Sequence, residues 1–254
     1  YKFRYGSYDY QWSPDNKWIL LEVGDNMHDP YNDIAIINVD NGEMVHLTRS
    51  GYTDARPRFV IGGNAVIFLT ERWGMRNHAS WGSMDDVAIV FLNQDAYDKY
   101  RLSKEDYELL KEVEKQQKKS AKKEEPKNDD KKDKKKDKDN DSESDSADKE
   151  DDKSKEIKVE VEGLEDRMLR LTPFSGNIAD AWVDNDGRTL YYLLSVEKGY
   201  DLWKLKFEDR EPSIAVRLDM GAASIYPSTD GKTLYIMGDK MRKYDVGGSS
   251  AKAI

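Results

Sequence analysis

The side chains with the most chemistry to offer stand in one short run. Arg72-Trp73-Gly74-Met75-Arg76-Asn77-His78-Ala79-Ser80-Trp81-Gly82 holds two tryptophans, two arginines and a histidine. Indole faces stack on extended chains, and guanidinium forks hydrogen-bond carbonyls and carboxylates. Arg72, Trp73, Arg76, His78 and Trp81 are therefore a candidate peptide-binding set, in a segment that reads as a loop. The competing role for both tryptophans is packing against an adjacent element.

Catalytic chemistry is harder to find. The three histidines are His28, His46 and His78. His28 lies among acids in Asp25-Asn26-Met27-His28-Asp29, but no second ligand stands at a metal-site spacing. His46 falls in a run that reads as an outer strand and is expected at the surface. The chain has no cysteine, which removes disulfides, zinc–thiolate sites and thiol catalysis. Gly-x-Ser-x-Gly, the P-loop and the dinucleotide fingerprint are missing. Glu165-Asp166 and Asp85-Asp86 read as turns or solvated faces rather than acid–base pairs. No catalytic residue, metal site or cofactor is assigned within these residues.

A recurring element must position the candidate loop. Asp184-Asn185-Asp186-Gly187-Arg188-Thr189-Leu190-Tyr191 returns as Ser228-Thr229-Asp230-Gly231-Lys232-Thr233-Leu234-Tyr235, an offset of 44 residues, and a propeller blade takes roughly 40–45. In each copy a polar Asp-Gly turn leads into an apolar run, the pattern of a hairpin turn and strand. Ser13-Pro14-Asp15-Asn16 before Trp18-Ile19-Leu20-Leu21 is a third relative. Trp12, Phe59, Trp182 and Tyr226 are aligned as equivalent strand ends. The fold class is all-β: a β-propeller fragment of four-stranded blades with TolB-like or WD-like repeats. About three blades and part of another are counted, short of the roughly 4–8 of a closed ring. The chain starts at Tyr1, so it is read as a piece of a larger protein.

The expected organisation is residues 1–9 as the end of a preceding blade or a linker and 10–49 as a blade. Residues 50–172 form a blade interrupted at 93–156, 173–219 a third blade, 220–246 a partial blade and 247–254 an exit linker. Leu102, Leu109, Leu110 and Val113 sit near helical spacing behind Ser103, a helix N-cap followed by acids. The Lys/Asp/Glu-rich run that follows has too little apolar surface to offset its ordering entropy and is expected to be disordered. Its interleaved acids, and a net charge of −9, give no case for nucleic acid. No apolar run approaches the roughly 18 residues of a membrane span.

The stretch from Phe68 to Gly82, followed by Asp86-Val87-Ala88-Ile89-Val90-Phe91-Leu92-Asn93-Gln94 and Leu102-Ser103-Lys104-Glu105-Asp106-Tyr107, resembles the propeller region of tricorn-type serine peptidases of Bacteroidetes-like bacteria. The charged insert and Leu164-Glu165-Asp166-Arg167 to Leu171-Thr172-Pro173 fit the same family. The resemblance implies a periplasmic or exported peptidase. It would carry a PDZ domain and a catalytic domain related to C-terminal-processing proteases, both beyond Ile254. The propeller would admit or guide unfolded peptide to that domain, and the resemblance leaves room for a homo-oligomer. Two other readings stay open: a stand-alone TolB-like scaffold docking a protein partner, and the propeller lid of a prolyl-oligopeptidase-type hydrolase.

Because the charged run reads as a solvated excursion, deleting Gln116 to Lys155 should leave the melting temperature nearly unchanged. A loss above about 2 kcal/mol, a large share of a domain's stability, would show that the segment is packed.

Overall fold

The computed structural model describes residues 10–24, 31–75, 84–121 and 156–254. The chain divides into two units, Tyr1–Arg101 with Lys155–Ile254, and Leu102–Ser154. The first unit carries four antiparallel sheets of four strands each. Blade 1 is β1 (Tyr10–Trp12), β2 (Trp18–Gly24), β3 (Asn32–Asn38) and β4 (Met44–His46). Blade 2 is β5 (Asp54–Val60), β6 (Ala65–Thr70), β7 (Asp86–Phe91) and β8 (Met168–Arg170). Blade 3 is β9 (Asn177–Val183), β10 (Thr189–Ser195), β11 (Tyr200–Lys206) and β12 (Pro212–Met220). Blade 4 is β13 (Ala223–Pro227), β14 (Thr233–Gly238), β15 (Met241–Asp245) and β16 (Ala251–Ala253). In every sheet the strands pair in chain order, so the blades are four-stranded meanders in a propeller arrangement.

Two expectations are corrected here. The partial blade is complete, because residues 247–254, expected as an exit linker, supply β16, in which Ala251 pairs Tyr244 and Ala253 pairs Arg242. An outer strand needs backbone pairing more than an apolar face, so its composition carried little signal. The alignment of strand ends also shifts. Ser13, Asp184 and Ser228 each pair with the residue five positions on, and Val60 pairs Ala65 in the same way. The equivalent inner-strand residues are therefore Gln11, Arg58, Trp182 and Tyr226, while Trp12 and Phe59 belong one position later, with Val183 and Pro227.

The repeated turn has a side-chain cause. Ser13 Oγ donates to Asp15 at 2.6 Å and accepts from Trp18 N at 2.9 Å, while Asp15 accepts from Lys17 N at 3.1 Å. Ser228, Asp230, Lys232 and Thr233 repeat each bond. In blade 3 Asp184 does both jobs, accepting from Arg188 N and Thr189 N. Such turns satisfy backbone donors that the ladder cannot reach. A second device recurs where β3, β7 and β11 begin. Asp33 accepts from Ser50 N, Asp86 from Thr172 Oγ1 and Asp201 from Leu218 N. In blades 1 and 2 the carboxylate holds the third strand to the chain leaving the fourth, and in blade 3 to the C-terminal end of β12 itself.

Packing between blades explains the apolar runs. β6 (AVIFLT) and β7 (DVAIVF) are buried at every position. Their alternate residues enter two cores: Val66, Phe68, Ala88 and Val90 join Leu20, Ile34 and Ile36 of blade 1, whereas Ile67, Leu69, Val87 and Ile89 meet Ile178, Leu190 and Tyr192 of blade 3. A third core joins blades 3 and 4. A strand covered on both faces reads as a continuous apolar run. His46, expected at the surface, lies on β4 half-buried, with Nδ1 enclosed and unpartnered.

Helix α1 (Gln94–Arg101) follows β7, capped by Asn93, whose Oδ1 accepts from Ala96 N at 2.9 Å. In the second unit, α2 (Lys104–Ala121) starts at the expected cap, with Ser103 Oγ accepting from Asp106 N at 3.1 Å. Of the charged run expected to be disordered, the first part, to Ala121, is instead the C-terminal half of α2, and residues 122–155 lie outside the described residues. The chain returns at Ile157, whose N–H donates to Asp15 at 2.8 Å and whose buried side chain joins the core between blades 1 and 2. Arg167, also buried, donates to the carbonyls of Phe91, Glu160 and Glu162. These anchors let the blade resume after a long excursion, whose closure entropy grows only logarithmically.

Gly63 fits this return, with φ of 90° and a missing Cβ that would collide with Ile157 Cδ1 and reach Pro14 Cδ at 3.0 Å. Gly63→Ala should destabilise the protein by about 1–3 kcal/mol in urea unfolding, from strain and overpacking together. A change within about 0.5 kcal/mol, the range of neutral surface substitutions, would show that Ile157 is not held there.

Candidate functional site

The inner strands β1, β5, β9 and β13 converge on one cavity of about 530 Å³. Tyr10, Trp182 and Tyr226 offer aromatic surface to it, Arg56 and Arg58 guanidinium groups, and Gln11 and Ser224 polar side chains. The four equivalent inner-strand positions all contribute, each with a different side chain: Gln11, Arg58, Trp182 and Tyr226. Tyr10 and Tyr226 are more than half exposed, at 67% and 52%, so their rings are accessible from the cavity.

A charged clamp fixes the cavity wall. Arg58 reaches from blade 2 to Asp180 of blade 3 at 3.1 Å, and both its terminal nitrogens donate to the Ile225 carbonyl of blade 4 at 2.9 Å. Asp180 in turn accepts from Ile225 N at 2.7 Å and from Ala181 N at 2.8 Å. The pair thus brackets both backbone polar groups of one residue, Ile225. Asp180 is buried and Arg58 nearly so, and at such burial a charge is tolerated only with its partner and hydrogen bonds in place.

Arg56 is shaped differently. Its φ is 52°, the β5–β6 register shifts beside it, and its N–H donates to Glu22 of blade 1 at 2.7 Å. A left-handed non-glycine residue is strained, and the bond to Glu22 holds it so that the side chain is exposed at the cavity. Nearby, Asp85 titrates at about 7, raised first by burial, then by the charges of Glu71 and Asp86, with Arg56 opposing.

Of the predicted loop set, Arg72 and Trp73 are described and exposed; Arg76, His78 and Trp81 lie outside the described residues. Two guanidinium groups lie over the Trp73 ring, those of Arg72 and Arg170, each 5.6 Å from its centroid. Arg170 also pairs with the fully buried Asp86 at 2.9 Å, so the root of the loop is tied to the third-strand device of blade 2. Asp54, two residues before Arg56, pairs Thr70, two before Arg72. Loop and Arg56 therefore leave blade 2 at the same end. Arg58, Asp180 and Tyr226 went unnoticed in the sequence as site residues; aligning the blades by their turn hydrogen bonds would have placed them at the axis.

This arrangement of blades has counterparts among solved structures. The tricorn protease matches with a TM-score of 0.59 at 10% identity, covering 97% of this chain and 22% of that one. TolB from Acinetobacter baumannii matches at 0.54 and 10%, covering 94% and 42%. Putative TolB from Agrobacterium tumefaciens matches at 0.52 and 10%, covering 96% and 63%. At such identities the likeness is one of fold, and the chain spans less than two thirds of each of these proteins. No protein-family model and no curated protein matches the chain. Among the described residues no helix is long and apolar enough to cross a membrane.

The environment of Asp85 sets a pH dependence. Its folded value lies above the ordinary 3.8, so the proton it keeps adds stability below about pH 4. That contribution is lost as pH rises through about 7. Asp85→Asn should melt higher than the parent at pH 8 and no higher at pH 4, in paired melts across that range. Parallel curves for the two proteins would show that Asp85 ionises freely in the fold.

Proposed function

We propose that this propeller is the non-catalytic module of a tricorn-like serine peptidase, admitting or guiding unfolded peptide to a catalytic domain outside these 254 residues. The observation that supports it most is the cavity at the meeting of the four inner strands. It offers aromatic faces at Tyr10 and Tyr226 and a strained, exposed Arg56. Side chains of this kind hold extended backbone without reading sequence, by stacking and by hydrogen bonds to carbonyls. Arg72, Trp73, Arg76, His78 and Trp81 are assigned as a further set of peptide contacts. The protein would be periplasmic or exported, with its own PDZ and peptidase domains as partners.

A second reading, a TolB-like scaffold docking a folded partner, draws on the two TolB structures of like fold. The two separate on what the cavity takes: a scaffold has no need to bind unfolded chain at the axis.

The test is fluorescence anisotropy with labelled, reduced and carboxymethylated casein. Tyr10→Ala/Tyr226→Ala should weaken capture about tenfold, as expected when about 1.4 kcal/mol of stacking is lost, with the melting temperature unchanged. Arg76→Ala/His78→Ala should weaken it in the same direction. Unaltered capture in both double variants would remove the peptide-guiding role.

A further inference from the structure

The rim of blade 1 differs from the rims of the other blades. In each blade the fourth strand is outermost. Such a strand presents unpaired backbone groups, which proteins blunt with charge, proline or bulges. β12 opens on Pro212, and its register shifts twice against β11. β16 carries Lys252 and β8 carries Arg170. β4 is Met44-Val45-His46, without lysine, arginine, proline or register shift. The ladder fixes which of its backbone groups face outward. Asn38 N donates to Glu43 O at 2.8 Å and Leu47 N to Ile34 O at 2.8 Å, while Met44 lies opposite Ile37 and His46 opposite Ala35. Bonded and non-bonded pairs alternate along an antiparallel ladder. The N–H and C=O of Met44 and His46 therefore point away from the sheet.

Beside that edge runs a groove of about 900 Å³, walled on its far side by residues 161–168, where the chain returns to blade 2. Clefts of roughly 300–1,000 Å³ hold ligands. The lining has an apolar part: Leu47 and Leu164 are buried, Met168 is half-buried and Val161 is exposed at 57%. The charges are sorted along the strand. Arg49 follows its C-terminal end and Glu43 precedes its start. Met168 pairs Val90 and Met44 pairs Ile37, each four residues beyond the aspartate that secures its third strand. Glu165 and Asp166, just before Met168, therefore stand at the Glu43 end. Between the two ends, Nη1 of Arg72 lies 4.0 Å from the Met168 sulfur. The side chains of Arg49, Glu165 and Asp166 are exposed and make no hydrogen bond or ion pair among the described residues.

We propose that this groove binds an extended segment of another protein as a fifth strand of blade 1, antiparallel to β4. The segment is acidic at its N-terminal end, apolar at its centre and basic at its C-terminal end. The outward groups of Met44 and His46 supply the main-chain hydrogen bonds, as in strand addition at an open sheet edge. Alternate side chains of the added strand meet Leu47, Leu164 and Met168. Antiparallel pairing is somewhat the more stable, and in that direction the incoming N-terminal end meets Arg49 and the C-terminal end meets Glu43, Glu165 and Asp166. The proposal does not rest on peptide guidance at the axis, since groove and cavity share no lining residue. Arg72 lines the groove and not the cavity.

Isothermal titration calorimetry of the 254-residue chain with the blocked heptapeptide acetyl-Glu-Asp-Val-Leu-Val-Lys-Lys-amide tests this. It should bind at least about fivefold more tightly than the reversed sequence, as several weak exposed charge pairs add up. Glu43→Lys/Arg49→Glu should reverse that order with the melting temperature unchanged. N-methylation along the Val-Leu-Val centre leaves the protein untouched: affinity should fall at least about tenfold at alternate amides and hold at those between. Tyr10→Ala/Tyr226→Ala should bind the peptide as the parent does. Absent binding, equal affinity for the two peptides, losses without that alternation, or weakened binding in the axial variant, which would put the peptide in the cavity, would each overturn the proposal. So would binding seen only once residues 122–155 are deleted, which would make the protein's own charged run the occupant, or a dimer that the peptide dissociates, which would make it a second copy.

Discussion

The propeller is organised around one carboxylate. Asp180 sits where blades 2, 3 and 4 meet, buried, accepting from Arg58 and from the backbone of Ala181 and Ile225. Asp180 would not be stable there as a charge alone, since an uncompensated buried charge costs several kcal/mol. Together Asp180 and Arg58 grip the backbone of Ile225 by its N–H and its C=O. Most of the remaining contact between blades is through apolar faces, which are tolerant of sliding. A bidentate arginine and a backbone bracket are directional, and they set where the inner strands stand relative to one another. The cavity has the width it does because this clamp holds three of its four walls.

Around that clamp the blades keep one framework and vary one position. Serine and aspartate close the turns at the same places, and Asp33, Asp86 and Asp201 each secure the start of a third strand. The position facing the axis is glutamine, arginine, tryptophan and tyrosine in succession. Framework side chains are spent on backbone donors that the ladder leaves free. The axial side chains have no such duty in common, and their differences give the cavity one clamped wall and aromatic ones. The same economy accounts for the interrupted blade: Asp15, a turn residue of blade 1, also receives the Ile157 N–H as the chain returns from its excursion.

Much of this was legible in the sequence. The 44-residue recurrence, the Asp-Gly turns and the Ser103 cap are local features, written in residues that bond their near neighbours, so each carries its cause within a few positions. Tertiary structure alone decided what lies far apart in sequence. Arg58 finds Asp180 at a separation of 122 residues and Ile225 at 167, which no spacing rule anticipates. It also set the true alignment of the inner strands, because a one-residue shift reverses every face and only the turn hydrogen bonds fix it. It made a strand of Ala251–Ala253 through pairing rather than composition. And it raised Asp85, an ordinary turn residue by its neighbours, through burial beside Glu71 and Asp86, since a charge responds to what surrounds it in space and not in the chain.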